Sequence, residues 1–164
     1  MWFTSAPADV GFADASKQHF TYDFHVHGPP ADVFVAITDP ATFARWFPDF
    51  RAAHWVSGTP PGPGSVREVR LRALAVRERI LVWEPGKRFA FTVISASQPL
   101  LARMVEDYRL TANEQGGTRV QWTVAYQPRL VVRPLAPLLR PVFGRLFRRA
   151  CDELRRYLEG RQAD

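Results

Sequence analysis

Two apolar alternations in this chain each carry an acid. In Val76-Glu78-Ile80-Val82 and in Met104-Glu106-Tyr108-Leu110, residues two apart share a face if the stretches are strands. Glu78 and Glu106, with the phenol of Tyr108, then turn toward the apolar side. A carboxyl group in apolar surroundings has its pKa raised and can act as a general acid or base. The competing reading pairs one or both acids with an inward arginine, Arg67 or Arg103, or turns them outward at a bulge. A second constellation is His19, His25 and His27 at alternate positions, with Asp23 among them. Shared-face histidines can ligate a metal. This face, however, is opposite Phe20, Tyr22 and Phe24 and so belongs to solvent. With no Cys-x-x-Cys or His-Glu-x-x-His pattern in support, no metal is expected. His54 stands alone. Ser57, Ser65, Ser95 and Ser97 lack a Gly-x-Ser-x-Gly setting, and Gly58–Gly64 is a Pro-rich loop, not a phosphate cradle.

The elements that must position these groups read as follows. Phe20, Tyr22, Phe24 and Val26 mark a first strand, ended by Gly28-Pro29-Pro30. Two short helices are expected over Pro30–Thr38 and Pro40–Trp46, with Asp39 as N-cap and Pro40 at N1 of the second. Strands follow at Phe50–Ser57, Ser65–Leu74, Val76–Trp83, Lys87–Ser95, Leu100–Thr111 and Thr118–Tyr126. The run Pro134–Glu159 has apolar residues at Leu135, Leu138, Leu139, Val142, Phe143, Leu146, Phe147, Ala150, Cys151, Leu154 and Leu158. That spacing predicts one long amphipathic helix, with Pro141 as a break or kink and Gly160 just past its end. The order predicts an α+β fold: a seven-stranded antiparallel sheet, curled to receive the long C-terminal helix, with two short helices after the first strand. Residues 1–17 read as an N-terminal extension, in which Trp2, Phe3 and Phe12 could pack back. Residues 18–160 read as one domain and 161–164 as a tail.

With 164 residues, 46% hydrophobic and 23% charged, the chain has the composition of one globular domain rather than a disordered segment. Its net charge is +6, and nine of its arginines against four acids lie between Arg129 and Asp164. The arginine-rich helix face has three readings: a solvated face, a contact with anionic membrane surfaces, or a nucleic-acid site. The last lacks a recognised motif and exposed aromatics, so no nucleic acid is expected. Cys151, the only cysteine, sits in the apolar stripe and reads as a small buried hydrophobe. With no basic leader before Asp9 and no run of roughly 20 apolar residues, a cytoplasmic protein is the expectation.

Four segments together resemble the SRPBCC superfamily, the helix-grip fold of START-like domains. They are His27–Phe34, Asp39–Pro48 (Asp-Pro…Trp-Phe-Pro), Glu78–Phe89 with its Pro85-Gly86-Lys87, and Gly116–Trp122 (Gly-Gly-Thr…Trp). The resemblance runs from Gln18 to Gly160 and is nearest to the polyketide cyclase/dehydrase and lipid-transport type. It implies a deep apolar cavity between the sheet and the long helix. The walls it implies are Trp46, Phe50, Phe89, Phe91, Val93, Tyr108, Trp122, Val142, Phe143 and Phe147. Its strand order puts one strand between Glu78 and Glu106, separating the carboxyls by roughly 10 Å, too far to share a proton. The implied function is binding, and in some members transport, of a hydrophobic small molecule: a lipid, fatty acyl or polyketide-like ligand, without a cofactor. Two alternatives go with it. One is a cyclase or dehydratase using Glu78, Tyr108 or Glu106, and the other is a cochaperone-like protein-interaction module.

Overall fold

The computed structural model describes residues 1–161. The sheet comprises β1 (Phe3–Thr4), β2 (His19–Val26), β3 (Phe50–Ser57), β4 (Val66–Leu71), β5 (Ala75–Glu84), β6 (Arg88–Ala96), β7 (Leu101–Ala112) and β8 (Thr118–Pro128). The helices are α1 (Val10–Ala15), α2 (Pro30–Thr38), α3 (Pro40–Phe43) and α4 (Ala136–Gly160). A 3-10 turn, Leu130–Leu135, leads into α4. Strands run antiparallel in the order β2-β8-β7-β6-β5-β4-β3, so β2, the first long strand in sequence, pairs with the last strand. The result is the predicted helix-grip α+β architecture, a curled antiparallel sheet around the long C-terminal helix.

Local chemistry explains the short helices. Pro30 opens α2 where a missing N–H costs nothing. Asp39 caps α3, its carboxylate accepting from the Thr42 N–H at 3.2 Å and the Thr42 hydroxyl at 2.6 Å. The α3 helix stops at Phe43, shorter than the spacing to Trp46 suggests. The chain instead turns, with Trp46 N–H reaching the Phe43 carbonyl at 3.3 Å. The Trp46 indole reaches back to the Ala36 carbonyl at 2.8 Å and ties the two helices together.

The first 17 residues are built into the fold. β1 pairs with the end of β6, Phe3 opposite Ala96. Direct β6–β7 pairing runs only as far as Thr92–Val105. Beyond it, Ser5 N–H bonds Ile94 and Ala6 N–H bonds Ala102, so this segment bridges the two strands where they splay. α1, capped by Asp9, sets Ala13 against Val105 and Ala125 on the outer face of the sheet. The tail expected at 161–164 lies, from 162 onward, outside the described residues.

Only part of the long apolar stripe is gripped. Phe147, Ala150, Cys151, Leu154 and Leu158 are buried, whereas Leu135, Leu138 and Val142 are exposed. The three prolines explain the irregular start: without N–H groups at 134, 137 and 141 the helical ladder cannot be complete there. The helix nevertheless runs on through Pro141, and Gly160 is its last residue. Gly144 marks its close approach to the sheet: a Cβ there would stand 3.2 Å from the Phe20 ring. The Tyr22 hydroxyl donates to the Gly144 carbonyl at 3.2 Å.

Candidate ligand site

Between the inner face of the sheet and α4 lies a cavity of about 70 Å³. Its helix side is apolar: Phe143, Leu146 and Phe147. Ile37, Phe43 and Phe47 close it from the short helices. Its sheet side mixes Phe91 and Val93 with four polar side chains, Arg67, Glu78, Glu106 and Tyr108.

Arg67 is almost wholly buried, and its donors are committed. Nε and Nη2 both reach Glu78 Oε2, at 2.9 and 2.8 Å. Nη1 donates to the carbonyls of Ile37 (3.3 Å) and Thr38 (3.2 Å). Those carbonyls end α2, where helix carbonyls lack intrahelical partners and the dipole favours a cation. The guanidinium also stands near four aromatic rings, those of Phe43, Trp55, Phe89 and Phe91, at 5.2 to 5.9 Å. Glu78 is thus the counter-ion of a buried cation. Its pKa is raised, because burial outweighs the charge and hydrogen bonds of Arg67, which pull it down.

Glu106 has no cation of its own. Its Oε2 accepts from Trp122 Nε1 at 3.0 Å and from the Tyr108 hydroxyl at 3.3 Å. Burial, followed by the charge of Glu78, pushes its pKa up to about 8; the two hydrogen bonds and Arg67 oppose the rise only in part. At neutral pH Glu106 therefore carries a proton, while both visible contacts fall on one oxygen. β6 lies between the two acids, with Glu78 opposite Val93 and Glu106 opposite Phe91. Tyr108, stacked on Trp122 at 4.7 Å, is pushed well above its ordinary pKa by burial. The Cys151 thiol is pushed up to about 12, chiefly by burial, which leaves it unreactive.

Of the residues expected to form walls, Phe91, Val93, Tyr108, Phe143 and Phe147 line the cavity. Phe89 and Trp122 are fully buried beside it, each packed against Tyr108. Trp46 is a core residue between α2 and α3, and the half-buried Phe50 packs on Phe43. Val142 is not a wall: it points to solvent, about 100° around α4 from the cavity-lining Phe143. Arg103 is exposed and pairs with neither acid. The histidines of β2 are exposed, and Asp23 bonds Arg119 on the neighbouring strand. Among the described residues no three His, Cys, Asp or Glu side chains converge as metal ligands. The residue that sequence reading undervalued is Arg67. Its parity with Val69 and Leu71 was visible, but only the end of α2 explains why a cation belongs there.

Comparison with known proteins agrees with this geometry. The model of the family described as polyketide cyclase/dehydrase and lipid transport matches residues 17–159. Uncharacterized proteins of Mycobacterium tuberculosis and Mycobacterium bovis are each 34% identical over 155 residues, covering 94% of this chain and 92% of the relative. Among solved structures, the Zhui aromatase/cyclase from Streptomyces sp. R1128 superposes with a TM-score of 0.75 at 16% identity, over 88% of this chain and 94% of that one. A START superfamily protein from Mycobacterium smegmatis gives 0.73 at 9% identity, over 87% and 97%. At such identities the likeness is one of fold. The chain belongs to the polyketide cyclase/dehydrase and lipid-transport family of the SRPBCC (START-like) superfamily.

Proposed function

We infer that this protein holds a hydrophobic small molecule, a lipid, fatty acyl or polyketide-like ligand, between its sheet and α4. The observation that carries this reading is the asymmetry of the cavity: an apolar helix side faces a sheet side that bears Glu106, Tyr108 and the Arg67–Glu78 pair. Apolar burial, at about 25 cal/mol per Å², would supply the affinity, and the polar groups would orient the ligand. Protonated Glu106 would donate to a carbonyl or hydroxyl oxygen, which favours ligands with such a group over plain hydrocarbons. A ligand of lipid size needs more room than about 70 Å³. Smaller voids of about 10 and 20 Å³ adjoin the same side chain, Phe143, so its displacement would join all three. Native mass spectrometry of the purified protein, followed by denaturing extraction, tests the reading. A co-purifying amphiphile with one polar end is the expected result. An empty protein that also refuses fluorescent fatty acids would refute it.

A second reading, a cyclase or dehydratase, is favoured by one observation. Glu106 is a buried acid with a pKa near the working pH, as proton transfer requires. On this geometry Glu106, rather than the arginine-bound Glu78, takes the proton-transfer role. Turnover of a poly-β-keto thioester analogue that is abolished in Glu106→Gln would support it; unchanged turnover in that variant would remove it.

A further inference from the structure

The N-terminal half of α4 and the turn before it form a surface unlike the rest of the molecule. Of the large hydrophobic side chains exposed among the described residues, five fall within thirteen residues: Leu130, Val131, Leu135, Leu138 and Val142. Val131 is 78% exposed and Leu138 71%. From Arg129 to Ala150 every polar side chain is an arginine, six in all, and no Asp or Glu occurs between Gln115 and Cys151. None of these six forms an ion pair among the described residues, whereas Arg67, Arg70, Arg77, Arg88, Arg109 and Arg119 on the sheet all do. At about 3.6 residues per turn, Arg145 and Arg149 follow Leu138 and Val142 on one stripe of the helix. Both arginines are exposed.

We propose that this face docks the protein on an anionic lipid surface, with the aliphatic side chains entering the acyl boundary and the arginines meeting headgroup phosphates. The proposal builds on the hydrophobic-ligand reading, because Leu139 and Phe143, on the inner side of the same helical turns, border the voids next to the cavity. A docked protein would present that end of the chamber to the bilayer. The chemistry selects the partner. A two-fold contact between copies would set arginine against arginine with no acid to offset them. A folded protein partner would have to bring both carboxylates for the arginines and a matching apolar groove for the aliphatic side chains. A lipid surface needs only aliphatic side chains and cations.

The test is cosedimentation of the full chain with phosphatidylcholine vesicles, with and without phosphatidylglycerol. Binding is expected only when phosphatidylglycerol is present and should weaken as salt is raised. Leu138→Asp with Val142→Asp should lower vesicle affinity at least about tenfold. Arg145→Gln with Arg149→Gln, which leaves the apolar residues intact, should lower it about fivefold per arginine. Binding indifferent to lipid charge, no binding at all, or full binding by both double variants would overturn the proposal. So would a concentration-dependent dimer that Leu138→Asp dissociates, since the face would then belong to a second copy. Fatty-acid uptake measured without vesicles separates the two readings. Uptake without vesicle binding removes this proposal alone, and vesicle binding without uptake removes the ligand reading alone.

Discussion

Glu78 and Glu106 occupy the same face of the same sheet and are equally buried, yet they are different chemical species. Glu78 has a guanidinium on one oxygen at 2.8 and 2.9 Å. Glu106 has only an indole N–H and a phenol O–H. The first therefore belongs to a charged pair whose desolvation is offset by mutual attraction and by the α2 carbonyls. The second avoids that cost by keeping its proton, as an unpaired buried carboxyl does. The contrast separates structure from chemistry within one cavity. Glu78 holds α2 to β4 and β5 through Arg67, and Glu106 remains a group that can give or take a proton.

The largest expected effect comes from breaking the pair. Arg67→Met leaves Glu78 buried without a counter-ion and strips the donor from Ile37 and Thr38, at a cost of about 3–5 kcal/mol in urea unfolding. Adding Glu78→Met should recover much of that loss; a double variant as unstable as the single one would show that the pair is not the cause. Phe143→Asp should come next, costing about 2 kcal/mol or abolishing fatty-acid uptake, because it puts a charge at the cavity wall. Wild-type melting together with wild-type uptake would contradict the position of α4.

Glu106→Gln sharpens the contrast through pH. The folded-state pKa is raised to about 8, so the stabilisation from Glu106 is complete below the ordinary glutamate value and declines as pH rises toward 8. The wild type should lose up to about 1.4 kcal/mol per pH unit relative to the variant across that window. Parallel stability profiles from acid to mild alkali would mean that Glu106 is ionised in the folded protein. The smallest effect is expected for Tyr108→Phe, about 1 kcal/mol, with the pKa of Glu106 rising further as one hydrogen bond to its charged form is lost. A fall in that pKa, followed by NMR, would show that the phenol does not support the carboxylate.

Much of the architecture could be read from period and punctuation. The alternation in β5 and β7 set Glu78 and Glu106 inward, and the Asp39-Pro40 cap opened α3. Pro85-Gly86 turned the β5–β6 hairpin, where Gly86 has a φ of 70°. These are local matters: a side chain's face follows from strand geometry, and a turn follows from the φ angles its residues allow. Three results depended on distant parts of the chain meeting. Arg67 finds its carbonyl partners 29 and 30 residues upstream on α2, which no spacing within β4 reveals. Phe143 and Leu154 share one face of α4, but the packing of the sheet decides that Leu154 is fully buried while Phe143 stands half-buried at the cavity. The proton on Glu106 depends on how much water and how many charges surround it once β4 to β8 and α4 have closed. Along the strands, the alternation in the sequence determined which way a side chain faces. The tertiary structure decided what it meets there, because burial, ion pairing and pKa depend on distance in space rather than along the chain.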